Sequence, residues 1–144
     1  MAGFNKQEQD AIKGAIAQAE KFTSGEIRLC VEDTCNEPAL DRAANYFKKL
    51  GMHKTTLRNG VLIYMALKDH QFAILGDAGI NKVVPADFWE STKEVMRTCF
   101  KKGELSNGVI EGIMLVGKQL QQYFPYKDGD TNELSDDILF MDGK

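Results

Sequence analysis

The stretch Arg58-Asn-Gly-Val-Leu-Ile-Tyr-Met-Ala-Leu-Lys-Asp-His-Gln-Phe-Ala-Ile-Leu-Gly-Asp-Ala-Gly79 reads as two strands and the turn that joins them. Val61 to Leu67 is apolar without alternation, the pattern of a strand covered on both faces. Lys68-Asp69-His70 supplies a polar reversal, and Phe72, Ala73, Ile74 and Leu75 form the returning strand. Asp77 is thereby delivered to one identifiable edge of a sheet.

Upstream, Ile12, Ala15, Ile16, Ala19 and Phe22 keep helical spacing and predict an amphipathic helix from Lys6 to Phe22. Thr23-Ser24-Gly25 stops it. Ile27, Leu29 and Val31 then alternate with Glu26, Arg28 and Cys30 as a strand. Pro38 opens a second helix with Leu40, Ala43, Ala44, Phe47 and Leu50 on one face, ended by Gly51. Downstream, Gly79 to Val84 reads as a turn. Pro85-Ala86-Asp87 reads as the first turn of a third helix that carries Phe88, Val95, Met96, Cys99 and Phe100 inward. A fourth helix, from about Leu105 to Tyr123, has Val109, Ile110, Ile113, Val116, Leu120 and Phe124 as its buried stripe. Gly108, Gly112 and Gly117 are expected to bring its backbone close to the sheet. The expected domain covers residues 1–126, followed by an acidic tail, 127–144, that reads as loop or partly disordered chain.

Strand, helix, strand is a crossover unit, so the strands at Glu26 and Gly60 should run parallel, and the hairpin makes the third antiparallel. The start of the first strand, the start of the second and the end of the third then share one edge. Glu26, the loop Thr55-Thr56-Leu57-Arg58-Asn59 and Asp77 are expected neighbours there. Asp87 approaches from the amino-terminal end of the third helix, whose free N–H groups favour negative charge. Carboxylates with loop carbonyls and water make the hard-oxygen environment of calcium or magnesium, whereas no Cys/His constellation suits zinc. Each acid also has an ordinary structural explanation: Glu26 as an ion-pair partner of Arg28 or Arg58, Asp77 as a turn former, Asp87 as a helix-start acid.

At 144 residues, 43% hydrophobic and 27% charged, the chain fits one domain with one core. Its net charge of -3 supplies no basic field for a phosphate backbone, so nucleic acid is not an expected partner. No apolar run approaches the ~20 residues that cross a bilayer, and the amino terminus lacks the features of a secretory signal. The expectation is a soluble, cytoplasmic chain without a membrane partner. Cys30, Cys35 and Cys99 lack CxxC spacing and suit unpaired thiols.

Three segments, Thr23-Ser24-Gly25-Glu26-Ile27-Arg28, Asn59-Gly60-Val61-Leu62-Ile63-Tyr64 and Phe72 to Ile80, resemble the TPM domain family of photosystem II repair proteins and bacterial relatives. The glycine-rich fourth helix and Tyr123-Phe124-Pro125 agree, so the resemblance spans roughly residues 5 to 125. Gly51-Met52, Phe88-Trp89 and Asn132-Glu133-Leu134 are similar to its soluble bacterial branch. The resemblance implies a three-layer α/β/α sandwich, divalent-cation binding at an acidic edge and the acid phosphatase activity of a chloroplast member. Glu26 and Asp77 match the acidic points of the family pattern, and Asp87 matches to within one residue.

A phosphatase needs a nucleophile or metal-activated water, and groups that neutralise the phosphoryl oxygens. Asp77 and Arg58 would be those groups here, yet no DxDx(T/V), CxxxxxR or P-loop motif stands in the chain. The leading expectation is a divalent cation, calcium before magnesium, at Glu26, Asp77 and Asp87, with weak or no hydrolysis. The alternatives are a metal-dependent acid phosphatase on small phosphomonoesters and a protein-interaction module whose acidic tail, around Asp136-Asp137 and Ile138-Leu139-Phe140, docks on a protein partner or back on its own domain.

Overall fold

The computed structural model describes residues 3–127 and 136–142. Helix α1, Lys6–Ala19, begins with a capping box in which the Asn5 side chain accepts from Glu8 N (2.8 Å) and the Glu8 carboxylate accepts from Asn5 N (2.9 Å). It ends before Phe22, because the chain turns there into a bridge between Thr23 and Pro125. Strand β1, Glu26–Glu32, leads to α2, Ala39–Lys49, and then through a 3-10 turn, Met52–Lys54, to β2, Gly60–Ala66. The hairpin returns as β3, Gln71–Gly76, through a turn in which His70 adopts φ 54°. A short α3, Ala78–Asn81, precedes α4, Glu90–Lys101, and α5, Leu105–Gln121.

The sheet is mixed. β1 runs parallel to β2, and β2 antiparallel to β3, as the crossover and hairpin require. Its order is β3-β2-β1-β4, where β4 is Leu139–Phe140 lying parallel to β1 beside Cys30 and Val31. This short strand departs from the loop expected there. The free edge of β1 offers unpaired backbone groups, and Met141 N donates to Val31 O at 2.9 Å. Asn132-Glu133-Leu134 lie outside the described residues.

Every residue of β2 is buried, because helices cover both faces of the sheet. Ile27, Leu29, Val31, Val61 and Ile63 pack against α1 and α5, and Cys30, Leu62 and Tyr64 pack against Ala43 and Phe47 of α2. The molecule is therefore a three-layer α/β/α sandwich, with α2 on one face and α1, α4 and α5 on the other. Leu40 turns outward at 53% exposure, and Val95 likewise yields its inward place to Thr92 and Met96. The α5 glycines serve helices rather than the sheet. A Cβ at Gly112 would stand 2.5 Å from Met96 Sδ, and one at Gly117 would stand 2.9 Å from Ala19 O, so these glycines let α4 and α1 approach. Among the described residues no helix is long and apolar enough to cross a membrane.

Candidate functional site

Glu26 pairs with Gly60, and Val61 with Gly76, so the next residue, Asp77, lies on the other side of Gly60 and donates its N–H to Gly60 O at 2.9 Å. Side chains alternate along a strand, and Cys30 and Ala73 both belong to the α2-side core. Glu26 and Asp77 therefore emerge on the same, α2-covered face at one rim, two strand spacings or about 10 Å apart at the backbone. Between them Gly60 has no side chain, and the Met52 carbonyl lies 3.2 Å from where its Cβ would be. Both acids are largely buried, at 4% and 6% exposure.

Asp77 is the N-cap of α3, its Oδ1 accepting from Ala78 N at 2.7 Å. Arg58 grips the same carboxylate with two parallel bonds, Nε to Oδ2 and Nη2 to Oδ1, each 2.8 Å. This pairing raises the Arg58 pKa further above its ordinary value. The guanidinium side chain is 49% exposed, whereas the carboxylate it holds is 5% exposed. Arg58 reaches it from a left-handed backbone, φ 53°, a conformation that costs a non-glycine residue about 1–2 kcal/mol. The loop is locked from beneath: Gly79 N donates to Arg58 O at 2.9 Å, and a Cβ at Gly79 would lie 2.2 Å from Leu57 O and 2.6 Å from Arg58 O. Asn59, buried, accepts from Glu26 N through its carbonyl at 3.3 Å and so ties this loop to β1.

Among the described residues no hydrogen bond or ion pair connects Asp87 to this group. Residues 85–88 form an isolated turn before α4 rather than its first turn, with Phe88 N donating to Pro85 O and Glu90 N to Asp87 O. Asp87 is exposed there. Among the described residues no three Asp, Glu, His or Cys side chains are arranged to hold a metal. His53 lies in the 3-10 turn next to Met52, and His70 lies at the opposite end of the sheet.

Two buried polar clusters were not read from the sequence patterns. Glu20 accepts from Ile27 N at 2.9 Å, and burial together with a hydrogen bond to Asp136 pushes its carboxyl up to about 9, with Glu26 adding a smaller repulsion. It is consequently protonated at neutral pH and can donate to Asp136. Because the unfolded carboxyl loses its proton near 4.5, Glu20's own contribution to stability should be greatest below that pH and decline as pH rises towards 9. Glu20→Gln retains an acceptor for Ile27 N and a donor for Asp136. It is expected to flatten this decline and to raise stability by about 1–2 kcal/mol at pH 8, measured by urea unfolding at several pH values.

The second cluster centres on Glu32, 3% exposed at the far end of β1. It accepts from Arg42 Nε (2.8 Å), Arg42 Nη2 (3.3 Å), Tyr46 OH (2.7 Å) and the Tyr64 hydroxyl. Burial alone would raise its pKa, but these donors outweigh burial and hold it below the usual carboxylate range. Cys30 and Cys35 are both buried free thiols, and burial pushes Cys30 up to about 12, which leaves it a poor nucleophile.

The pattern of the TPM domain matches residues 2–119. Among solved structures, the BA42 protein of the psychrophilic bacterium Bizionia argentinensis is 44% identical, with a TM-score of 0.90 over 95% of this chain and 94% of that one. An N-terminal domain from P. gingivalis (16% identity, TM-score 0.68, 85% and 80% of the two chains) shares the fold. So does an N-terminal domain of the cg2496 protein from Corynebacterium glutamicum (9%, 0.63, 89% and 78%). No curated protein matches the sequence. With the family pattern covering most of the chain and its central segments on the rim just described, the chain belongs to the TPM domain family.

Proposed function

We propose that this domain binds a divalent cation, calcium in preference to magnesium, at the rim shared by Glu26 and Asp77, and that any hydrolytic activity is weak or absent. The observation that carries this reading is the pair of largely buried carboxylates flanking side-chain-free Gly60, with a half-exposed guanidinium bonded to one of them. A carboxylate that is buried while its counter-cation faces solvent can exchange that cation without unfolding its surroundings.

The residues in place fit a weak calcium site better than a magnesium site. Calcium accepts six to eight oxygens in flexible geometry and completes its shell with water, whereas magnesium demands a near-ideal octahedron. Asp77 and Glu26 would hold the ion together with loop carbonyls. Asp87 would join them only if the turn at 85–88 swings toward the rim. Arg58 would leave Asp77 as the cation arrives, keeping the carboxylate neutralised in both states. The expected affinity is that of weak modular calcium sites, with Kd about 10⁻⁴–10⁻³ M.

The test is calorimetric titration with calcium and with magnesium on the wild type and on Glu26→Gln, Asp77→Asn and Asp87→Asn. Loss of calcium binding in the first two variants is expected, with a smaller effect in the third. Undiminished binding in Asp77→Asn would defeat the reading. Hydrolysis of p-nitrophenyl phosphate is expected to be no faster in the wild type than in Asp77→Asn. A rate that collapses in the variant would favour the phosphatase instead.

A further inference from the structure

At the opposite end of the sheet, about 20 Å from the Asp77 rim by the length of β2, a cavity of about 530 Å³ opens between the β2–β3 hairpin and the α4–α5 turn. Its size falls within the range of small-molecule sites. Its apolar wall includes Leu67, Phe72, Phe100 and Leu105, with Phe72 and Phe100 packed edge to face at 5.2 Å between ring centroids. Its polar lining consists of Arg97, Lys101, His70 and Gln71, so the charged side chains among the described lining residues are the two cations Arg97 and Lys101. That bias stands out in a chain with 21 acids against 18 bases.

Arg97 lies over the Phe72 ring at 5.7 Å from its centroid, so its guanidinium spans the boundary between the apolar wall and solvent. Glu94, one turn back on the same helix, pairs with one Arg97 nitrogen, and among the described residues no second carboxylate takes the other donors of the fork. Lys101 stands in the last turn of α4, and among the described residues it has no carboxylate partner. Gly103, at φ 77° with nothing within 4 Å of its Cβ position, turns the chain away and leaves the mouth open on that side.

The geometry points to a binding site for a small amphipathic anion, a carboxylate with an aliphatic or aryl body, its apolar part against Phe72, Phe100 and Leu105 and its carboxylate on Arg97 and Lys101. The apolar wall provides affinity without directional demand, and the two cations select charge and orientation. A neutral analogue keeps only the first contribution, and a cationic one meets repulsion.

Backbone amide NMR of the full chain, titrated separately with decanoate, decan-1-ol and decyltrimethylammonium at submicellar concentration, tests this. Decanoate is expected to shift amides of residues 65–72 and 97–105 and to bind roughly tenfold tighter than decan-1-ol, with the ammonium weakest. The double variant Arg97→Gln, Lys101→Gln replaces a half-exposed and an exposed side chain and leaves the apolar wall in place. It is expected to keep the wild-type spectrum elsewhere and to lose roughly tenfold in decanoate affinity while retaining that for decan-1-ol. Three probes binding alike, shifts centred outside this cavity, no shift with millimolar decanoate, or undiminished decanoate binding in the double variant would each overturn the assignment.

Discussion

Glu32→Ala is expected to lower the unfolding free energy by about 3–4 kcal/mol, the largest loss from any single polar side chain outside the rim. The carboxylate is the common acceptor for one guanidinium and two phenols, so its removal strands several donors at once. Their fates differ. Arg42 is 30% exposed and also bonded to Glu37, so it can recover partners from solvent. Tyr64 is fully buried, and burial, with its bonds to Cys35 and Glu32, already raises its pKa, so its hydroxyl would lose its main acceptor in an apolar layer. Tyr46→Phe removes one donor and no acceptor, and should cost nearer 1 kcal/mol. The deficit of Glu32→Ala should also depend on pH with a definite sign. Glu32 titrates below the ordinary carboxylate range when folded, so its contribution is complete above the unfolded value of 4.5 and fades as pH falls through the lower folded value. Chemical denaturation at neutral and acid pH should therefore show the wild-type advantage shrinking on the acid side.

Gly79→Ala is expected to cost about 3 kcal/mol and to loosen the Arg58–Asp77 pair. The added methyl would collide with two carbonyl oxygens of the 55–59 loop, and backbone cannot rotate away as a side-chain end can. Relief requires the loop to lift from α3, which breaks the bond from Gly79 N to Arg58 O and withdraws the strained Arg58 from Asp77. If the rim binds calcium as proposed, that affinity should fall along with stability, because the same loop positions both. Gly14→Ala is the matched control. Gly14 lies exposed inside α1 with nothing within 4 Å of its Cβ position, so the substitution should stabilise by about 0.5–1 kcal/mol. A Gly79→Ala protein as stable as the wild type would show that the loop is not clamped as described.

The strand directions, and with them the placing of Glu26 and Asp77 on one rim, were legible from local pattern alone. A continuous apolar run, a polar turn and a crossover helix leave few ways to lay three strands. The start of α4 was misread because Pro85 serves equally as a helix start or a turn, and only the bonds of Phe88 and Glu90 to the preceding residues decide between them. The pairing of Leu139–Phe140 with β1 had no local signature. A two-residue strand has no periodicity to read, and what holds it is the open edge of a strand more than a hundred residues earlier. Glu20 and Asp136 escaped notice for the same reason. The Glu32 cluster was half visible: Glu32 continues the even-numbered side of β1, and Arg42 and Tyr46 are one turn apart on α2, but nothing local indicated that Tyr64 would point at them.

The central claim is that Asp77 exchanges Arg58 for a divalent cation at the rim it shares with Glu26. Following the Arg58 side-chain Nε–H resonance during calcium addition tests it most directly. A resonance held downfield by Asp77 should move toward that of a solvated guanidinium, in step with the amide shifts of residues 26, 60 and 77. A calcium complex in which the Arg58 signal stays in place while other regions respond would contradict it.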